Sequence, residues 1–467
     1  MLLGGEPNAI ALVSSRREAV TYAELRRLID DWEAIFRAGS RKSLVLVMGG
    51  ADLAAVSCYL AVLAAGNAVL LADPLVGDEA LTRLVDAFQP EIVVHPARTW
   101  SAGPLPGYRH EASAPFGATT FIRRTPGEYE PHPDLALLLL TSGSTGTPRA
   151  VRLSAGNLRS NASSIVQALG MRESDRAVTA LPLHYGYGLS VLNSHLAVGA
   201  SVVLSEMSPS TRPFWRMFVE TASTFFAAVP STYRAVWEVL DGEWPTGMRI
   251  ATQSGDAMPP ELARRFVGLA AAADASFFAM YGQTEATARM ACVDLVAVPQ
   301  RIGSVGGAVP GGRFRIAGTS DGTGRSGIGE VVYEGPNVML GYAGSRRDLV
   351  LGDVSGGVLH TGDLGCLDDG YLYLRGRLKR ISKIGGRRLS LDEFEETVTG
   401  DGQVAVVETG GGIVVFHQGI DAGLASRVAH ACRAHGISPA MVRTRKIDRL
   451  PLTERGKTDY RRLADGL

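Results

Sequence analysis

Short apolar runs alternate with longer segments of helical periodicity through the first two thirds of the chain. The runs at residues 43–48, 68–71 and 91–95 predict buried strands, and residues 22–37 predict an amphipathic helix. The tetrapeptide that begins at Thr21 has the Thr-x-x-Glu form of a capping box, which predicts where that helix starts. Strands that alternate with helices in this way predict a parallel sheet covered by helices.

One apolar segment, residues 53–72, carries no charge and is long enough to cross a bilayer as a helix. The pair Gly66-Asn67 interrupts it with a helix stop and a new start. This interruption favours a helix, a turn and a strand within a globular core, so we predict no membrane span. The N-terminus also lacks the basic-then-apolar order of a signal peptide.

The residue composition and the predicted secondary structure change toward the C-terminus. Residues 96–132 are rich in Pro, Gly and Arg and are expected to be irregular, and from residue 301 glycines become dense and short strands replace the strand–helix alternation. We therefore expect a β-rich subdomain at about residues 301–376.

These patterns together predict an α/β fold. Its large N-terminal domain of helix-covered sheets would comprise residues 1–376, including the β-rich subdomain. A small, mobile α+β lid domain would follow at residues 377–467, with a hinge near Lys379.

Composition narrows the class of protein. Of 467 residues, 46% are hydrophobic and 20% charged, which is typical of a soluble globular protein. The formal net charge of +0 argues against a nucleic-acid partner, which would require clustered cations. The four cysteines form no Cys-x-x-Cys pair, so reduced thiols and a cytoplasmic location are expected.

The stretch with the clearest chemistry is residues 137–152, LLLLTSGSTGTPRAVR. Glycines in it allow close backbone approach to a bound group, and consecutive N–H groups in such turns bind anions. Arg149 adds a permanent cation. We interpret this stretch as a loop that binds polyphosphate, and the alternative is a surface loop without a ligand. It is not a Walker A loop, because the position of the second glycine holds Pro148. The hydroxyl and glycine residues of the loop are Thr141, Ser142, Gly143, Ser144, Thr145, Gly146 and Thr147.

A second stretch, residues 281–285, reads YGQTE and follows a predicted strand, where ligands bind in open α/β sheets. Tyr281 offers a face for a purine, Thr284 a hydroxyl for a phosphate, and Glu285 an oxygen ligand for Mg²⁺. A turn with a solvated glutamate is the alternative interpretation.

Three further stretches lie in the last quarter of the chain. In residues 360–363, HTGD, the carboxylate of Asp363 could accept hydrogen bonds from both hydroxyls of a ribose. The basic run at residues 376–383 fits either a solvated surface or a hinge. Lys457, in the loop PLTERGK, would be exposed unless the small domain closes over the phosphate site. In that case it could neutralise charge that develops between a carboxylate and an α-phosphate.

In this order and at these separations, the five stretches resemble the adenylate-forming superfamily, which includes acyl-CoA and aryl-CoA synthetases, peptide-synthetase adenylation domains and luciferases. The resemblance extends from about residue 20 to the C-terminus. It implies a small rotating C-terminal domain and a reaction in two steps. A carboxylate and Mg-ATP give acyl-AMP and pyrophosphate, and a nucleophile then displaces AMP.

The resemblance also implies residue roles. Tyr281 would lie beside adenine, Thr284 would contact the α-phosphate, Glu285 would bind Mg²⁺, and Lys457 would be the catalytic lysine of adenylation. His184, in PLHYGYG, resembles an element of the acyl pocket, with a core histidine as the alternative. The remaining positions that would hold the nucleotide are the loop Thr141–Thr147, Arg149, Ser254, Gly255, Asp256, Gly282, Gln283, Asp363 and Arg377.

Two departures from the family pattern stand out. The family loop usually ends Pro-Lys-Gly, whereas this chain has Pro148-Arg149-Ala150, which keeps the charge and changes its geometry. The C-terminal domain is also short, which bears on the acceptor. We expect a thiol acceptor, either CoA or the phosphopantetheine arm of an acyl carrier protein. Transfer to an amine and a non-catalytic nucleotide-binding protein are the alternatives.

Overall fold

The structure is a computed structural model of the chain. It describes residues 2–14, 17–37, 41–95, 105–111, 114–125, 127–141, 149–318, 327–384, 387–400, 402–409, 412–419, 423–435, 437–453 and 457–466. The loop residues Ser142, Gly143, Ser144, Thr145, Gly146 and Thr147 lie outside the described residues.

In these ranges the helices are α1 (Tyr22–Phe36), α2 (Leu53–Ala64), α3 (Asp78–Phe88), α4 (Ala155–Leu169), α5 (Gly186–Val198), α6 (Arg212–Glu220), α7 (Pro230–Val239), α8 (Pro260–Ala272), α9 (Leu391–Val398), α10 (Leu424–His435) and α11 (Tyr460–Asp465).

The strands are β1 (Ile10–Val13), β2 (Ala19–Thr21), β3 (Leu44–Met48), β4 (Ala68–Ala72), β5 (Ile92–His95), β6 (Tyr108–Glu111), β7 (Thr119–Arg123), β8 (Leu135–Thr141), β9 (Arg149–Ser154), β10 (Arg176–Val178), β11 (Ser201–Val203), β12 (Phe225–Ala228), β13 (Ile250–Gln253), β14 (Ser276–Tyr281), β15 (Ala291–Asp294), β16 (Gly307–Ala308), β17 (Arg313–Ala317), β18 (Gly329–Glu334), β19 (Gly341–Ala343), β20 (Val358–Asp368), β21 (Tyr371–Arg377), β22 (Ile381–Ile384), β23 (Arg387–Ser390), β24 (Val404–Thr409), β25 (Gly412–Gln418) and β26 (Val442–Ile447).

The chain forms two compact units. The first, Met1–Arg313 with Tyr333–Leu359, contains a nine-stranded sheet in the order β16-β15-β14-β13-β12-β10-β11-β1-β2 and an eight-stranded sheet in the order β19-β9-β8-β4-β3-β5-β7-β6. The second, Phe314–Val332 with His360–Leu467, is built around sheets of four (β17-β18-β20-β21), two (β22-β23) and three (β24-β25-β26) strands. The predicted α/β class is confirmed, and the predicted boundary and hinge near residues 377–379 stay predictions.

Both faces of the eight-stranded sheet are buried, as its unbroken apolar strands predict. In β3, Val45 and Val47 face one hydrophobic core and Leu44, Leu46 and Met48 face another. The first of these cores also takes side chains from α1, α2, α4 and α5 and from the nine-stranded sheet. The two sheets of the first unit are therefore joined through one layer of helices.

The helix predictions near the N-terminus are confirmed. Helix α1 begins after Thr21, which forms the expected capping box with Glu24. The uncharged segment forms α2 and β4, separated by a turn in which Gly66 adopts a φ of 75°. Within the ranges given above, none of the helices has the length and hydrophobicity needed to cross a bilayer.

The expectation that residues 96–132 are irregular was wrong in part. Strands β6 and β7 lie there and pair with each other at the edge of the eight-stranded sheet. The sequence of β6, YRHE, is short and mixed in polarity because an edge strand is only half covered. Strand β7, TTFIR, lies between β6 and β5.

Candidate active site

The base of the predicted phosphate loop is closed by its two flanking residues. Thr141 is the last residue of β8, Arg149 is the first of β9, and the two are paired in the sheet. The hydroxyl of Thr141 also donates a hydrogen bond of 3.2 Å to the carbonyl oxygen of Arg149. The ends of this loop are thus fixed at the rim of the eight-stranded sheet.

Arg149 lies at one end of a chain of three side chains. Its guanidinium carbon is 3.5 Å from the centroid of the Tyr342 ring, and the Tyr342 hydroxyl donates a hydrogen bond of 2.8 Å to Oε1 of Glu285. Tyr342 reaches this position because β19 pairs with β9. The predicted phosphate cation and the predicted Mg²⁺ ligand therefore share one aromatic neighbour, which is itself absent from the sequence-based predictions.

The electrostatics of this group keep the tyrosine protonated. Burial, and then the Glu285 carboxylate, raise the pKa of Tyr342 well above its usual value, so its hydroxyl remains a donor. Oε2 of Glu285 accepts no hydrogen bond from any residue that the structure describes.

These carboxylate oxygens fit a magnesium ion, which prefers oxygen ligands and commonly binds through one or two carboxylates plus substrate phosphates. In the described part of the chain, no cluster of three acidic, histidine or cysteine side chains could hold a metal ion without a substrate.

The turn that carries Glu285 is tightly constrained. A Cβ added to Gly282 would lie 1.7 Å from the carbonyl oxygen of Ala288, so only glycine fits there. Thr287 and Ala288 both have positive φ, 56° and 95°, which is unusual for residues other than glycine. Asn337 holds this strained backbone by donating hydrogen bonds of 2.8 Å to the carbonyl oxygens of Ala286 and Arg289. Such strain is common at binding sites, where the fold fixes a defined geometry.

Two predicted nucleotide stretches meet at one edge of the nine-stranded sheet. Strands β13 and β14 are parallel neighbours, so Ser254 and Tyr281 lie at adjacent strand ends. Ser254 and Tyr281 are buried and Asp256 is exposed. Gly255 has a φ of 97°, and a Cβ there would lie 2.8 Å from the Tyr185 hydroxyl. The carboxyl edge of a parallel sheet is where open α/β folds bind ligands.

His184 precedes α5 in the first unit. Its Nε2 lies 3.7 Å from Oδ2 of Asp73, which follows β4, and the imidazole is largely buried. A role for His184 in the acyl pocket stays a prediction.

In the second unit, the structure brings Asp363 and Arg377 together. They are opposite each other in β20 and β21, and Oδ1 of Asp363 lies 2.9 Å from Nε of Arg377. The Asp363 side chain is 6% exposed and the Arg377 side chain 58% exposed, so the carboxylate is fixed while the guanidinium still meets solvent. Both residues were predicted to contact the nucleotide, and their assignment stays a prediction.

Lys457 lies in a closed loop before α11. The N–H of Thr453 donates a hydrogen bond of 2.7 Å to the carbonyl oxygen of Lys457, whose own N–H donates to Oγ1 of Thr453 at 3.2 Å. The backbone N–H and carbonyl groups of Lys457 are therefore both bonded to Thr453. Lys379 lies in a short 3-10 turn, Leu378–Arg380, and its side chain is outside the described residues.

Sequence patterns missed two residues of the first unit. Tyr342 lies on a three-residue strand too short to show a pattern. Arg289 follows the YGQTE stretch and is 3% exposed. A usable signal existed for Arg289, since it is a lone charge within the run ATARMAC.

Comparisons with known proteins identify the family and several relatives of the chain. The model of the AMP-binding enzyme family matches residues 3–343. A sulfoacetate–CoA ligase from Cupriavidus necator is 34% identical over 272 residues, which cover 57% of this chain and 52% of the relative. An oxalate–CoA ligase from Arabidopsis thaliana is 34% identical over 273 residues, 56% of this chain and 52% of the relative. The match thus spans about half the length of these two relatives.

A longer match and two solved structures extend the similarity. A 2-succinylbenzoate–CoA ligase from Bacillus mycoides is 26% identical over 405 residues, 85% of this chain and 81% of the relative. ATP-bound MatB from Rhodopseudomonas palustris has a TM-score of 0.78 at 21% identity, covering 99% of this chain and 96% of that one. The o-succinylbenzoate CoA synthetase from Bacillus subtilis with its acyl-adenylate has a TM-score of 0.75 at 24% identity, covering 98% and 95%. These structures share the fold.

Proposed function

The chain belongs to the AMP-binding enzyme family, and from this premise we propose that it is an AMP-forming acid–thiol ligase. The observation that carries the proposal is the cluster of Arg149, Tyr342 and Glu285 beside the base of the Thr141 loop. The cluster supports the proposal because a cation suited to phosphate and a carboxylate suited to Mg²⁺ both contact the same tyrosine.

The proposed reaction has two steps. A carboxylate oxygen of the acid attacks the α-phosphorus of ATP, the bond from that phosphorus to the bridging oxygen breaks, and pyrophosphate leaves. The sulfur of a thiol then attacks the acyl carbon, AMP leaves with the carboxylate oxygen, and the thiol proton is released to solvent.

We assign roles to the residues as follows. Arg149 and the Thr141 loop bind the outer phosphates, Glu285 binds Mg²⁺ with its position fixed by Tyr342, and Asp363 binds the ribose. When bound, magnesium supplies positive charge that offsets the charge of the polyphosphate. Lys457 supplies positive charge to the transition state of adenylation.

The acceptor we propose is CoA, because the curated relatives named above are all CoA ligases. The phosphopantetheine arm of an acyl carrier protein presents the same thiol and is the second candidate. A cytoplasmic location follows from this chemistry, since ATP, CoA and reduced thiols are available there.

Carboxylate-dependent exchange of pyrophosphate into ATP tests the first step. The full chain would be assayed with Mg²⁺ and a panel of aliphatic, aromatic and dianionic acids, with ATP alone as the blank. We expect one class of acid to raise exchange well above the blank. Mg-ATP binding without exchange for any acid would refute the ligase and support a non-catalytic nucleotide-binding protein.

The second step is tested by product mass. Acid and ATP would be incubated in turn with CoA, with a phosphopantetheinylated carrier protein and with an amine. We expect a thioester of CoA. An amide formed in the absence of any thioester would replace the thiol acceptor by an amine.

A further inference from the structure

Arg289 is a buried cation whose hydrogen-bonding capacity is largely unused. Its side chain has five N–H donors, and the described residues offer it one acceptor, the carbonyl oxygen of Ala288 at 3.3 Å. Its Nε is buried without a hydrogen-bond partner. No carboxylate of the described residues lies within 4.0 Å of its guanidinium. A buried charge without a partner is costly and calls for an explanation.

Two other buried arginines show what a purely structural arginine looks like in this protein. Arg152 has no carboxylate partner in the described residues either, but it donates to four carbonyl oxygens, among them those of Tyr342 and Leu340. Arg346 forms a two-point ion pair with Glu91, with distances of 2.7 and 3.0 Å. Arg289 has neither arrangement, so the part of the fold that the structure describes provides no counter-charge for it.

The guanidinium of Arg289 is nevertheless held in place. It stacks on the ring of Tyr187, 3.7 Å from the centroid. Asn161 and Asn337 both donate hydrogen bonds to its carbonyl oxygen, at 2.9 and 2.8 Å. An aromatic face offsets only part of the cost of burying a cation. Fixed backbone and stacked side chain therefore keep an unneutralised charge in one position.

The aromatic neighbours of Arg289 belong to the segment PLHYGYG, in which His184 resembles an element of the acyl pocket. Tyr185 and Tyr187 both lie close enough to interact electrostatically with its guanidinium. Gly282 contacts the backbone at Arg289, because a Cβ on that glycine would lie 3.0 Å from the Cα of Arg289. Glu285, from the same segment, contacts Tyr342 instead. Arg289 thus faces the tyrosines rather than the residues assigned to the phosphates.

We propose that Arg289 binds a second anionic group on the acid substrate, so that the enzyme activates acids with a carboxylate or sulfonate distal to the reacting carboxylate. This inference rests on the proposed ligase function. The incoming anion supplies the counter-charge that the described residues do not provide, and two N–H donors of the guanidinium can bind a planar carboxylate.

The test is pyrophosphate exchange with paired acids. Dicarboxylates of increasing length would each be compared with the matching monoamide, which has the same shape and lacks the distal charge. The matching sulfonates would show whether carboxylate or sulfonate is preferred. We expect the wild type to use a dianion with a kcat/KM on the order of 100-fold above that of its monoamide. Equal use of both, or a preference for the monoamide, would overturn the inference.

Substitution assigns that preference to a residue. Arg289→Met should remove most of the preference by lowering kcat/KM for the dianion, while kcat/KM for the monoamide changes little. Arg289→Lys should keep part of it. Arg265→Met is the control, since Arg265 also stacks on an aromatic ring, Trp237, and is exposed. An equal loss for dianion and monoamide in Arg289→Met would mean that Arg289 serves folding or the reacting carboxylate.

The outcomes separate this inference from the proposed function. Exchange with acids that carry only the reacting carboxylate, and not with dianions, would overturn the role of Arg289 and leave the proposed ligase function intact. Exchange with no acid at all would overturn both. If Arg289→Met does not fold, a wild type without a dianion preference still overturns the inference, and Arg289→Lys then tests the residue.

Discussion

The hydroxyl of Tyr342 lies 2.8 Å from Oε1 of Glu285, although 57 residues separate them in the chain. The two meet because β19 pairs with β9 beside the turn that follows β14. Since the tyrosine keeps its proton, this hydrogen bond has a neutral donor and a charged acceptor, which is the stronger kind.

Replacing Tyr342 by Phe should impair the use of Mg-ATP. The hydroxyl fixes the Glu285 carboxylate, and a hydrogen bond to a charged group is worth about 1.5–3 kcal/mol. We expect kcat/KM for pyrophosphate exchange to fall about tenfold, and the Mg²⁺ concentration for half-maximal exchange to rise.

The control for that variant is Tyr59→Phe. Tyr59 is buried and bonds to Asn193 in the hydrophobic core, so its hydroxyl should affect stability and leave the Mg²⁺ requirement unchanged. If Tyr342→Phe also left the Mg²⁺ requirement unchanged, Tyr342 would have no part in placing the metal ligand.

Arg149→Lys should not be a conservative change, even though related loops carry lysine at this position. The planar guanidinium stacks on Tyr342, and an ammonium group cannot reproduce that contact. A cation over an aromatic ring contributes about 0.5–2 kcal/mol, so we expect the KM for ATP to rise about threefold to tenfold.

A double-mutant cycle with Tyr342→Phe measures the coupling of the pair. Arg149 and Tyr342 are in direct contact, so the effects of Arg149→Lys and Tyr342→Phe on kcat/KM should not add. Strict additivity would show that Arg149 acts on the phosphates independently of Tyr342.

Much of the fold was predictable because its elements carry local signals. The capping box at Thr21 and the interruption at Gly66 each depend on a few adjacent residues, and both were read correctly. Helix α5 was missed since it is buried along most of its length and so shows no polar face. The edge strand β6 was missed for the opposite reason, as two of its four residues are exposed.

The candidate site divides in the same way. Glu285 and Asp363 belong to contiguous motifs and could be picked out from the sequence. Tyr342 is recognised as a site residue only by its contact with Glu285. Arg289 is recognised only by the absence of a counter-charge among the described residues. The contact of Tyr342 arises from packing between distant segments, which no local pattern encodes. For Arg289 the sequence shows only a lone charge in a run without other charges, and the missing counter-charge becomes visible only in the structure.

Gly282→Ala should disrupt the turn that holds Glu285. The added methyl group would overlap the Ala288 carbonyl oxygen, which is backbone and cannot rotate away. We expect a loss of about 3 kcal/mol in the free energy of unfolding, or failure to fold.

Gly268→Ala is the control. Gly268 is exposed within α8 with open space around it, so alanine there should add about 0.5–1 kcal/mol. Equal stabilities for the two variants would contradict the packing at Gly282.

Lys457→Ala should remove adenylation without unfolding the second unit. The loop is held by the backbone N–H and carbonyl groups of Lys457, which alanine retains. Loss of one group that stabilises transition-state charge costs on the order of 100-fold in rate, so exchange should fall by about that factor while circular dichroism is unchanged. Lys446→Ala, at an exposed lysine of β26, is the control. Undiminished exchange in Lys457→Ala would remove this residue from the mechanism.

The stability of the first unit should fall in mild acid because of His195. Burial lowers the pKa of this histidine to about 4, and the hydrogen bond with the Val191 carbonyl opposes the shift. Of the nearby charges, Asp175 raises the pKa of His195 and Arg249 lowers it. The ring packs edge-on against Phe225, 4.6 Å between centroids, which leaves no room for a hydrated imidazolium.

The sign of the effect follows from which state binds the proton first. In the unfolded chain the pKa of a histidine is near its ordinary value of 6.5, so between pH 6.5 and about 4 the unfolded state is protonated while the folded state is not. The contribution of neutral His195 to the free energy of unfolding is complete above pH 6.5 and is lost as the pH falls toward 4, by about 2 kcal/mol at pH 5.

His195→Leu cannot take up this proton. Urea unfolding at pH 8 and pH 5 should therefore show a smaller loss of stability for His195→Leu than for the wild type or for His110→Leu, a change at an exposed histidine of the same unit. Identical losses in all three proteins would show that His195 does not account for the acid sensitivity.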